Sequence, residues 1–172
     1  MRVLALLLLS AVTLAGAEAP REFLTAEEIA LLQIKQRIDV RTDLYLRAAL
    51  LRLKSAEARL RGEETEPGDP LEYLTAEDML DGYYRILHSV MVNLEDAYRP
   101  ATADLDRVRK ALKQLRQRAE ESMRRLDSLE ALARRRNDGQ LLRLIERARE
   151  ITAGAHEGAR EALREKTDAP AG

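Results

Sequence analysis

The most constraining feature of this chain is a run of nine positions in which small or apolar residues recur at spacings of three and four. The run is Leu105, Val108, Leu112, Leu115, Ala119, Ser122, Leu126, Leu129 and Ala133. Side chains at those spacings fall on one stripe only if the backbone is helical, and four repeats of the pattern make a heptad seam. Leu141, Ile145, Ala148, Thr152, Ala155 and Ala159 continue the rhythm, with small residues that permit close helix approach. Leu80, Tyr83, Leu87, Val90, Leu94 and Ala97 form a third stripe. No segment reads convincingly as a strand. Ile38 to Leu46 alternates apolar and polar, but inside a capped run of more than thirty residues without Gly or Pro.

The expectation is an all-α chain, an elongated antiparallel bundle of about four long amphipathic helices. They are placed at about 25–61, 75–99, 103–136 and 140–164. Composition agrees: charged residues are 34 %, aromatics only 3 %, and the core must therefore be aliphatic. Two helix starts are written alike, Phe23-Leu24-Thr25-Ala26-Glu27-Glu28-Ile29 and Tyr73-Leu74-Thr75-Ala76-Glu77-Asp78-Met79. In each, Thr is an N-cap, an acid three residues on closes a capping box, and Leu with Ile or Met forms a hydrophobic staple. Convergence on a good cap explains the likeness better than duplication, since it fades after one turn. Gly62 ends the first helix, an acidic Pro/Gly loop follows, Pro100 ends or kinks the second, and Gly139 is placed to cap the third.

Residues 1–17 read as a secretory signal. Met1-Arg2 is a short basic start, Val3 to Leu9 is purely apolar, and Ala15-Gly16-Ala17 is a small-x-small cleavage site. The apolar stretch is shorter than the roughly 20 residues a spanning helix needs. This address points to the bacterial periplasm or the extracellular space, with a bundle domain at 18–165 and a frayed tail at 166–172. Loss of Arg2 with the leader takes the formal net charge from −1 to −2, a balance that selects neither for nor against nucleic acid. Export and the lack of interleaved aromatics argue against nucleic acid. With no Cys, the chain has no disulfide framework, thiolate nucleophile or thiolate metal site.

On a helical wheel Asp39, Asp43, Lys54, Glu57 and Arg61 share one sector, the expected solvent face. Arg41, Arg52 and Arg59 fall beside Ile34, Tyr45 and Ala48. They either emerge at a groove edge or form an inward polar seam, with Glu95 and Asp96 as candidate partners. The most site-like cluster is Tyr84, His88 and Glu95, with Met91 between, along one edge of the third stripe; Arg41 and Arg52 complete the candidate set. A small ligand, metal or haem could use it, although a boundary His packed by its neighbours is the commoner arrangement. His156, beside Glu157, is another boundary His. Glu-x-x-His pairs, nucleophile elbows and phosphate loops are absent from the sequence, and no cofactor is called for.

Charge is uneven. Residues 62–81 hold eight acidic side chains and no basic one; residues 104–136 hold eleven basic and six acidic. Arg116, Arg124, Arg134, Arg135 and Arg136 form a candidate basic docking surface for an acidic partner, an anionic polymer or a lipid surface. Helix-face pairs such as Arg116 with Glu120, and Asp127 or Glu130 with Arg134, would neutralise part of it. The function expected is non-enzymatic: a structural, adaptor or chaperone-like protein working through a protein partner, self-association or envelope contacts. A ligand-binding bundle and an enzyme with an unfamiliar helical site are the rivals.

Overall fold

The computed structural model describes residues 23–98 and 104–165. The expected signal, the Pro100 junction and the 166–172 tail lie outside the described residues. Within them are five helices: α1 (Ala26–Ile34), α2 (Ile38–Arg61), α3 (Ala76–Tyr98), α4 (Leu105–Arg135) and α5 (Gly139–Glu165). No strand occurs among the described residues, and no described helix is long and apolar enough to cross a membrane.

The stripes read from sequence are the core. Val108 through Ala133 on α4 are buried at every seam position, and Leu53, Ile86, Leu126, Leu129 and Leu141 are fully enclosed. Leu105, the first seam position, is 50 % exposed. Both capping boxes form. The Thr25 hydroxyl accepts from the Glu28 amide while Glu28 accepts from the Thr25 amide, and Thr75 and Asp78 do the same.

The expected single helix at 25–61 is broken at Lys35-Gln36-Arg37, where the backbone is extended. Tertiary partners, rather than Gly or Pro, make the break. Arg41 donates at 2.7 Å to the Leu32 carbonyl, one of the acceptors that α1 leaves open at its C-terminus. Arg52 grips Glu28 through two hydrogen bonds of 2.6 Å, although the two residues are 24 apart in sequence. A straight helix would hold them about 36 Å apart. Helix α1 is therefore folded back against α2.

Chain direction follows from the cross-helix bonds. Lys110 reaches Asp39, Arg125 and Ser128 reach Glu57, and Arg136 reaches the Leu60 carbonyl, at sequence separations of 71, 68, 71 and 76. A near-constant separation means that α2 and α4 run parallel. Tyr83 to Thr152 and Arg147 to Asp81 show the same for α3 and α5. Helices joined by loops run antiparallel, because Arg59 at the end of α2 meets Leu74 at the start of α3, and Arg149 meets Asp127 and Glu130 across the α4–α5 turn. Two hairpins thus lie side by side, with α2 beside α3 and α4, α5 beside α3 and α4, and no close contact between α2 and α5. The antiparallel expectation holds within each hairpin and fails between them.

At the α4–α5 turn, Asn137 takes the left-handed conformation (φ 53°) that Gly139 was expected to take. Asn tolerates it, and Asp138 then caps α5 by accepting from the Gln140 and Leu141 amides.

The predicted solvent face of the first helix also needs correction. Asp39 and Glu57 do share a sector, but they are only 1 % and 7 % exposed. They sit on the edge of α2 that faces α4, whose Lys110 and Arg125 supply the countercharges. Burial disfavours the Asp39 charge, yet hydrogen bonds and attraction from Lys110 and Arg37 outweigh it and hold the carboxyl below its usual 3.8. A depressed carboxylate contributes stability that is complete above its unfolded value and is lost as pH falls through the folded one. Asp39→Asn should therefore be less stable than the native chain at pH 7, with the gap closing as pH falls below 3.8 and through the depressed folded value. Urea midpoints across that range measure it; a gap independent of pH would contradict the assignment.

Candidate docking groove

Midway along the bundle the core turns polar. The Thr152 hydroxyl donates to the Ala148 carbonyl at 2.6 Å, so the Tyr83 hydroxyl, 2.7 Å away, donates to Thr152. Burial pushes the phenol pKa up, and the Ser122 and Thr152 hydroxyls only partly oppose this. Three hydroxyls on α3, α4 and α5 thus share a layer closed to solvent. The phenol stays neutral at ordinary pH, and the layer ties three helices together rather than offering a reactive group.

Beyond that layer, at the end of the bundle where α3 stops and α4 starts, the helices part around an open groove of about 510 Å³. Leu112 and Leu115 of α4, with Met91 and Leu94 of α3, give it an apolar lining. The α5 wall is made of small residues, Gly154, Ala155, Gly158, Ala159 and Ala162. Glu95 and Glu161 stand at the rim, and no Lys or Arg is among the described lining residues. A Cβ added at Gly154 or at Gly158 would meet nothing within 4 Å. Each glycine inside a helix costs roughly 0.5–1 kcal/mol relative to Ala. Nothing in the packing of the described residues requires these two to be glycine.

The cluster singled out in the sequence is divided by the structure. Tyr84 and His88 do meet, their rings parallel within 3° and 6.4 Å apart. The Arg147 guanidinium of α5 lies 3.8 Å from the Tyr84 centroid and 3.8 Å from Asp81. That stack fastens α3 to α5. Glu95 belongs to the groove. His156 faces Glu120 of α4 at 3.3 Å, while its neighbour Glu157 pairs with Arg160. Among the described residues, no group of three or more His, Asp or Glu is arranged to hold a metal ion.

Arg41 and Arg52 serve the N-terminal segment instead. Arg52, 1 % exposed, binds Glu28 and, at 3.0 Å, the Phe23 carbonyl. Arg59 ties down the acidic loop through Thr65 and the Leu71, Glu72 and Leu74 carbonyls. The expected partners Glu95 and Asp96 take none of these bonds. No protein-family model, curated protein or solved structure matches the chain. Its groove is therefore read from its own residues alone.

Arg116, Arg124, Arg134, Arg135 and Arg136 are all exposed on α4 or its C-cap. Carboxylates and carbonyls interrupt the surface: Arg134 binds Glu130 at 2.9 Å, and Arg136 donates to the Leu60 carbonyl at 2.6 Å. Asp127 pairs with Arg149 of α5. Arg124 borders a shallow depression that also holds Glu57 and Glu121. Sequence reasoning missed the groove glycines. The signal for them was two Gly four residues apart in the interior of a long helix.

Proposed function

We propose that this chain is an exported, non-enzymatic helical bundle of the adaptor or chaperone-like kind, and that the groove between α3, α4 and α5 is its docking surface. The carrying observation is the pair Gly154 and Gly158, which face open space on one wall of an apolar groove. Their helix cost is repaid only if something approaches that wall closely. The leader-like start at residues 1–17 supports the exported address. The interrupted charge on α4 makes that face the weaker candidate.

The test places a photo-crosslinking residue at Ala162 in the groove, or at exposed Lys54 on the far helix α2, in the full chain in its native host. A discrete adduct is expected from Ala162 and not from Lys54, and Gly158→Leu should abolish it. Leu at that exposed position should itself raise helix stability, by up to about 1 kcal/mol, so loss of the adduct cannot be blamed on unfolding. Equal labelling from both positions, or an adduct indifferent to Gly158→Leu, overturns the docking reading.

A further inference from the structure

We infer that helix α1 is an exchangeable arm whose second partner is another copy of this chain. In the exchanged form the bend straightens, α1 and α2 become one helix, and each α1 docks on the α2 of the other copy. This holds whatever fills the groove.

The hinge favours opening. Lys35, Gln36 and Arg37 are extended between two helices, yet all three are good helix formers. A continuous helix would also pair backbone groups that the two helix ends leave open. The bend persists because α1 is latched to the bundle. That latch is mostly polar: Arg41 to the Leu32 carbonyl, and Arg52 to Glu28 and the Phe23 carbonyl. Leu32 is the one buried residue of α1, and Ile34 is 71 % exposed. Little apolar surface of the helix itself resists release.

The latch contacts select a second copy as the occupant. They join residues whose midpoints all fall between positions 36 and 40, at the hinge or within one turn of it. Contacts centred on a bend survive its opening if a second straight copy lies antiparallel. A two-fold axis beside the hinge then returns every donor to its acceptor, now between chains. An arm that opened alone would strand the enclosed Arg52 guanidinium without its carboxylate. Exchange therefore sets the gain at the hinge against the cost of association, and it rises with concentration.

The chain has no Cys, so introduced thiols report cleanly. Phe23 Cβ lies 3.9 Å from where a Cβ on Gly82 would stand, within the roughly 3.5–4.5 Å of a disulfide. Phe23→Cys and Gly82→Cys are made in separate full chains, mixed at high concentration, warmed and oxidised. A covalent heterodimer linked between positions 23 and 82 is expected, since only exchange brings those positions together across two chains. Arg37→Pro in both chains should weaken dimerisation more than about a hundredfold. Arg37, at φ −68°, already has the proline angle in the bend, whereas proline would break the continuous helix. The double variant Phe23→Cys/Gly82→Cys, kept dilute, should close within one chain. If it closes but the mixture gives no 23–82 link, the arm does not exchange. A link indifferent to Arg37→Pro, or a dimer joined elsewhere, also overturns the exchange. Failure of the dilute double variant to close would refute the latch, and the exchange with it.

Discussion

Arg52→Ala is expected to destabilise the protein by about 3 kcal/mol, the lower end of the range for breaking a buried ion pair by deleting one partner. The guanidinium is enclosed, with Cγ 3.6 Å from the position a Cβ on Gly82 would occupy, and it holds Glu28 with two bonds and the Phe23 carbonyl with a third. Glu28 is 19 % exposed, so it recovers some water when the partner goes, which keeps the loss from being larger. The damage should be local as well as global. Helix α1 has Leu32 as its one buried residue, and amides of 26–34 should exchange much faster in the variant. Arg52→Lys should rescue little, because an ammonium cannot make the paired bonds. Urea unfolding with hydrogen exchange measures both effects. A loss under about 1 kcal/mol with α1 still protected would show that the strap is incidental.

Leu126→Ala should cost about 3–4 kcal/mol, from lost transfer energy plus a cavity that the surrounding helices cannot close. Leu126 is fully buried and lies one turn beyond Ser122 of the hydroxyl layer. Leu105 belongs to the same heptad run but is half exposed, and Leu105→Ala should stay within about 0.5 kcal/mol. Denaturant midpoints of the two variants compare the ends of one stripe. Equal losses would mean that the groove end of α4 is more tightly covered than its exposure indicates.

The seam and the caps were legible because both are local: periodicity and a Thr-x-x-acid spelling lie within a few residues of each other. What stayed hidden depends on partners far along the chain. The break at Lys35-Gln36-Arg37 carries no Gly or Pro, and it exists because Arg41 and Arg52 act on carbonyls and a carboxylate that a straight helix would place out of reach. Asp39 and Glu57, eighteen residues or five turns apart, were correctly assigned to one face. Their burial was unreadable because it is α4 that covers them, and the sequence does not state that pairing. Of the candidate site, Glu95 and Met91 reached the groove, whereas Tyr84 and His88 became a surface stack and Arg41 and Arg52 became fasteners. The groove itself was written only as two glycines without a visible reason.

The two-hairpin arrangement has a mechanical consequence. Leucine and alanine at heptad spacing would fit almost as well if one hairpin slid along the other by seven residues, since oil-like stripes are indifferent to such a slip. The carboxylates of Asp39 and Glu57 are not. Asp39 lies against Lys110, where a seven-residue slip would bring Gln117 or Ala103; Glu57 accepts from Arg125 and Ser128 together, a pair that Arg118 with Glu121, or Leu132 with Arg135, does not reproduce; and the Tyr83 phenol likewise meets Thr152 at one setting of α5. Buried polar contacts at three heights therefore work as the teeth of a rack, allowing a bundle with a permissive interior to close in a single position.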